Sequence, residues 1–260
     1  MRSAGAARAV ALTAALGLVA SACGESPSPL ERTADNLGDI RSGTLSLRFS
    51  LTPATAERGI GVALRGPFSL AGKGPLPVAR IAYSERAGVT RRATFISTGD
   101  RAFVETAGRT VRLPASSLRG LRLGSGPERS LEDLGLHVER WVKNTRTTAG
   151  PRLEGKSTEL ISGTLDAEAA LDDLAPLLGE AGGLSKEESQ RLSRTVSASV
   201  VRIVTGSADH LLRRLRLSVT LAVPPDLRAK VGGRHALRIK IGLKLSRLNR
   251  PVRVRHPGAS

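Results

Sequence analysis

The chain has 260 residues, with 40 Lys or Arg against 23 Asp or Glu and a net charge of +17. Its single cysteine excludes an internal disulfide, so the fold rests on its hydrophobic core. Aromatic residues make up only 2%, too few for base-stacking platforms, which argues against nucleic acid as the partner of all this positive charge.

In chain order, a leader comes first. Arg2 and Arg8 give a positive start, an apolar stretch runs from Ala9, and no acid appears before Glu25. This is the pattern of a secretion signal, too short for a spanning helix with polar flanks. The stretch Leu18-Val19-Ala20-Ser21-Ala22-Cys23-Gly24 resembles the bacterial lipobox, with Ala20 where that motif has leucine. The resemblance implies cleavage before Cys23 and an acyl anchor on it. The alternative is an ordinary cut after Ala20-Ser21-Ala22, leaving Cys23 as a free thiol. On the first reading, residues 1–22 are the signal peptide, 23–29 a lipidated cysteine with a short Ser/Pro tether, 30–248 one domain, and 249–260 a basic flexible tail. No segment after the leader reaches the length of a membrane span.

Leu30, Ala34, Leu37 and Ile40 predict a short amphipathic helix. Strand signals follow. Leu45, Leu47, Phe49 and Leu51 alternate with Thr44, Ser46, Arg48 and Ser50. Ile60, Val62 and Leu64 continue the pattern up to Gly66-Pro67-Phe68. Strands are expected over Val78–Tyr83 and Ala93–Thr98, with Gly99-Asp100 turning into Ala102–Thr106 and Ala107-Gly108 turning into Thr110–Leu113. Such short strands with close turns predict an antiparallel meander.

The middle reads as helical. Leu131, Leu134, Val138 and Trp141 predict a helix over Ser130–Val142. Asp166 is expected to cap a helix carrying Leu171, Leu174 and Leu178, and Ser185-Lys186-Glu187-Glu188 to open a more polar one. A strand is expected over Glu159–Thr164. Two long alternating segments close the domain, Leu215 to Val223 and Leu237 to Leu245, each with an aliphatic stripe on one face and cations on the other. The expected class is therefore α+β, a large curved antiparallel sheet with helices covering one face.

Charge is uneven. From Val200 to Ser260, 14 Lys or Arg stand against Asp209 and Asp226, a net of +12. In an exported protein this suggests anionic headgroups or wall polymers. The bland alternative is a solvated outer sheet face.

Local motifs carry no chemistry. Gly150-Pro151-Arg152-Leu153-Glu154-Gly155-Lys156-Ser157 has the letters of a phosphate-binding loop, but polar residues precede it and a strand pattern follows. His137, His210, His235 and His256 are scattered, with no metal-ligand spacing. There is no G-x-S-x-G nucleophile elbow. Asp172-Asp173 and Glu187-Glu188 read as helix-surface charges. No catalytic residue, cofactor or metal is expected.

Several stretches resemble the actinobacterial LppX/LprAFG-type lipoproteins, within the wider LolA/LolB-like group of lipid and lipoprotein carriers. They are Ala34–Leu37 through Ser42–Leu45, Gly66-Pro67-Phe68 with Pro75-Leu76-Pro77, Ile96–Phe103, Trp141–Asn144 and Ile161–Asp166. The resemblance implies a half-open barrel whose concave face, under covering helices, encloses a cavity for acyl chains. The low aromatic content departs from what such a cavity leads one to expect.

These readings combine into a non-enzymatic envelope lipoprotein, tethered to the outer leaflet of the cell membrane, that binds a lipid or glycolipid. The basic C-terminal strands are expected to dock on anionic headgroups, and an envelope transport partner is left open. The expected anchor is Cys23, and the expected cavity residues are Leu47, Phe49, Val62, Phe68, Phe95, Trp141, Leu217 and Ile239. Two rivals stand beside it. One is a structural or sensory protein with a filled core and a protein partner. The other is a hydrolase with a dispersed site.

Overall fold

The computed structural model describes residues 26–53, 59–72, 74–121, 130–134, 137–170, 173, 186–229 and 233–255. Cys23, Leu171, Leu174, Leu178, Ser185 and the end of the expected tail lie outside the described residues.

Helix α1 (Pro29–Asp35) is set by its first residues. Ser28 Oγ accepts from the Glu31 N–H at 3.2 Å, and the Glu31 carboxylate accepts from the Ser28 N–H at 2.6 Å. This capping box satisfies two amides that the first turn leaves free, and Pro29 fixes the entry. A 3-10 turn, Asn36–Asp39, continues it and buries Leu37.

Eleven strands follow: β1 (Ser42–Pro53), β2 (Ile60–Ser69), β3 (Val78–Ala87), β4 (Val89–Thr98), β5 (Ala102–Thr106), β6 (Arg109–Arg112), β7 (Val142–Ala149), β8 (Thr158–Leu165), β9 (Val196–Gly206), β10 (Leu212–Ala222) and β11 (Ala236–Ser246). They form one antiparallel sheet in the order β6-β5-β4-β3-β2-β1-β11-β10-β9-β8-β7. The sheet is open, and its edges are β6 and β7. The middle seam pairs β1 with β11 from Thr44↔Ser246 to Pro53↔Leu237. Two meanders thus meet at the chain's two ends, and residues 113–141 carry the chain from one edge of the sheet to the other.

The expected helix over Ser130–Val142 is not formed. A 3-10 turn (Glu132–Leu134) and a tight turn at 138–141 lead directly into β7. Val138 and Trp141 are buried as the pattern required, but turns put them there. Helix α2 (Lys186–Ser193) is present. At 167–170 a helical turn is capped by Asp166, whose Oδ1 accepts from the Ala169 N–H at 3.2 Å. The start of the expected tail is pinned. Asn249 donates to the Asp39 carbonyl at 2.7 Å, and its Oδ1 accepts from the Arg41 N–H at 3.0 Å.

Paired residues across a sheet share a face. Leu45, Leu47, Phe49 and Leu51 pair with Leu245, Leu243, Ile241 and Ile239. Leu215, Leu217 and Val219 continue these rungs on β10, and Ile203 and Val201 on β9. One face is therefore apolar. Leu30 and Leu37 from the N-terminal segment, with Val138, Trp141 and Ala170, form a single core with Val201, Ile203, Leu215 and Leu217. Burying each such side chain stabilises the fold by about 1.5–3 kcal/mol.

Candidate functional site

The apolar face is covered unevenly. On β10, Leu215, Leu217 and Val219 are 5–9% exposed, in one core with the N-terminal segment and the turn before β7, and Leu221 is 7% exposed in a second cluster with Val223, Leu227 and Leu237. Across β11, β1 and β2 the same rungs open up. Leu47, Phe49 and Leu51 on β1, Val62 and Leu64 on β2, and Ile239, Ile241 and Leu243 on β11 are all only half-buried. These residues form a contiguous apolar strip about 13 Å long at roughly 3.3 Å per residue. A soluble surface rarely leaves so large an aliphatic strip in water without a use for it.

The strip has a polar margin on β3. Leu64 pairs with Tyr83, and Val62 with Glu85, which pairs in turn with Arg91. Tyr83 Oη donates to Glu85 Oε2 at 3.1 Å. Desolvation, then the hydrogen bond and charge of Glu85, hold the Tyr83 hydroxyl above its ordinary range. A hydroxyl, a carboxylate and a guanidinium thus stand beside an aliphatic strip, which suits a molecule with an apolar body and a polar head. The sequence reading missed this pair. Its signal was present: Tyr83 is the chain's one tyrosine, and Glu85 stands two residues on, on the same strand face.

The eight expected cavity residues divide into two groups. Leu47, Phe49, Val62 and Ile239 lie in the half-buried strip, and Phe95 lies on the same face opposite Ile81, also half-buried. Phe68, Trp141 and Leu217 are buried in the packed core at 7%, 5% and 9% exposure. None of the eight lines the surface hollows of about 610, 590, 510 and 440 Å³, although Leu64 and Tyr83 beside the strip border the one of about 610 Å³.

Trp141 is held by Asp173. Its indole Nε1–H donates to Asp173 Oδ2 at 2.8 Å, and the His137 N–H donates to the same oxygen at 2.9 Å. Desolvation pushes the Asp173 carboxyl up, but these two hydrogen bonds and the charges of His137 and Arg140 outweigh it and leave it below the ordinary value. The side chain is 7% exposed, so Asp173 is not the helix-surface charge expected from its neighbour Asp172.

A second polar cluster closes the β9–β10 turn. Asp209 pairs with the buried Arg213 and with Lys156 Nζ at 3.1 Å. Desolvation opposes ionisation of Asp209, yet the Lys156 and Leu211 hydrogen bonds and the Arg213 charge hold its carboxyl below the usual range. These are structural contacts between charged groups, with no nucleophile among them. Among the described residues no three His, Cys, Asp or Glu side chains gather as a metal site would need. The phosphate-loop letters over 150–157 form a β7–β8 hairpin loop, closed by the Gly150 N–H to the Thr158 carbonyl at 2.8 Å, with no helix after it.

No protein-family model matches the chain, and no curated protein sequence matches it. Solved structures do. LprF from Mycobacterium bovis superposes with a TM-score of 0.51 at 14% identity, covering 88% of this chain and 95% of that one. The Mycobacterium tuberculosis lipoprotein LppX gives 0.46 at 16% identity, covering 87% and 96%. The chain has the fold seen in LprF.

Proposed function

We propose that this chain is a membrane-anchored envelope lipoprotein that holds a lipid or similar amphiphile along the uncovered half of its apolar sheet face. The observation that carries the reading is the half-buried strip from Leu47 to Leu243 beside a fully packed core, with Tyr83 and Glu85 at its margin. Hydrophobic burial supplies the affinity, at about 25 cal/mol per Å² of apolar area covered. The polar margin orients the head. Leu30 and Ala170, packed on the sheet's apolar face, support a helical cover over the core beside the site. Cys23, after its lipobox-like leader, is the proposed anchor, on the extracytoplasmic side of the cell membrane. The protein acts without catalysis, as a holder or carrier, and a transport partner would receive the ligand.

A second reading is a structural or sensory protein with a filled core. The burial of Phe68, Trp141 and Leu217 favours it.

The deciding experiment is native mass spectrometry of the chain begun after Cys23, followed by solvent extraction. The expected result is a bound species of discrete lipid mass. Phe49→Asp, at a half-buried position, should reduce its occupancy at least tenfold while the melting transition survives. A clean unliganded mass, with nothing taken up from envelope extracts, overturns the proposal in favour of the filled-core reading.

A further inference from the structure

The face opposite the apolar strip carries a line of arginines. Register places Arg146, Ser162, Arg202, Arg216, Gly242, Arg48, Ala63, Ser84 and Arg92 in one row across the strands from β7 to β4. The row spans about 38 Å at roughly 4.8 Å per strand. Its five guanidinium groups are exposed, and none has an ion-pair partner among the described residues. The next row adds Arg214, Lys244 and Arg65. Among the described strands, Glu105 is the one acid on this face, and Arg80 takes it at 2.9 Å.

Self-repulsion disfavours packing so many like charges on one face without acids between them. Guanidinium groups present planar forks that match phosphate or carboxylate oxygens. No aromatic stands in the row, so the charges of a polymer backbone would be read, not bases.

We propose that this row is a track for a linear polyanion, a polymer carrying phosphate or carboxylate charges along one chain. Two observations favour a polymer over the bilayer headgroups expected from the sequence. The cations form a line across many strands. Helix α1, which follows the anchor, also packs on the opposite face. Five residues separate Cys23 from Pro29, a reach of at most about 20 Å. Resting on the anchored reading, that tether holds the apolar side toward the membrane and turns the arginines away from it.

The test uses the chain begun after Cys23, with long-chain polyphosphate as probe, titrated by fluorescence anisotropy over a salt series. Affinity should fall linearly on a log–log plot. The triple variant Arg48→Gln/Arg202→Gln/Arg216→Gln should weaken binding at least tenfold and flatten the slope by about 2, at roughly 0.7 per lost phosphate contact. The triple Arg109→Gln/Arg152→Gln/Arg191→Gln removes the same charge away from the row and should stay within twofold of the parent. Replacing the three row arginines by lysine should keep the slope. No binding at low salt overturns the proposal, as do equal losses in both glutamine triples or a loss shared by the lysine triple. Row-dependent sedimentation with phosphatidylglycerol vesicles, with polyphosphate binding unchanged, also overturns it and assigns the face to the bilayer. The row triple should retain the parent's lipid mass, so failure here is distinguishable from failure of the lipid reading.

Discussion

At the residue scale, three aspartates are held ionised by specific donors. Asp173 takes hydrogen bonds from His137 and Trp141, Asp209 from Lys156 and Leu211, and Asp166 from Lys143 and Ala169. All three carboxyls lie below their ordinary value, so each contributes stability that is complete above the unfolded value of about 3.9. That stability is lost as pH falls through the lower folded-state values. Melting temperature should therefore be level through mild acid and drop below about pH 4. Asp173→Asn should lower it at neutral pH and flatten the acid limb, and a pH series of thermal melts checks both. Of these contacts only the Asp166 cap was legible in the sequence. Trp141 and Asp173 are 32 residues apart, and only the fold brings them together.

At the element scale, most strands were legible, from strict alternation or from short apolar runs between turns, and β7 and β9 were not. β10 alternates cleanly because one face is packed and the other solvated, and β11 alternates in residue type although Ile239, Ile241 and Leu243 are only half-buried. β7 was missed because Lys143 to Ala149 is exposed throughout, as suits an edge strand that must not recruit another chain. β9 was missed because Val200-Val201 and Ile203-Val204 break the period of two. Val138 and Trp141 misled for the opposite reason, since turns can also bring residues to a core at helical spacing. The β5–β6 hairpin was read correctly from Ala107-Gly108, and its geometry carries a cost. Ala107 sits at φ 46° and Gly108 at φ 77°. Both central residues of such a turn are left-handed, a conformation that asparagine adopts at lower cost than alanine. Ala107→Asn should stabilise the protein by about 0.5–1 kcal/mol, and urea unfolding at constant m-value measures it. Of the candidate site, the strip residues on β1, β2 and β11 were legible from alternation, whereas their incomplete cover was not. Cover depends on which elements fold back over the face.

At the scale of the whole molecule, one face of the sheet holds the core and the half-buried strip, and the other holds a nearly acid-free field of cations. That field repels itself, and salt screens it over a Debye length of about 10 Å at 0.1 M. Raising sodium chloride from about 10 mM to 0.5 M should lift the melting temperature by several degrees, since 1 kcal/mol is worth roughly 2–4 °C for a domain of this size. A melting temperature that is flat or falling over that range would show that the field is not under strain.

The β1–β11 seam has a consequence in time. β1 is complete by Pro53, but the strand that pairs along its free side ends at Ser246. During synthesis the first meander must wait with Leu45, Leu47, Phe49 and Leu51 on an unpaired edge while nearly two hundred further residues are made. An open aliphatic edge of that kind invites pairing with other chains. The last strand to be made is therefore the one that joins the two halves of the sheet.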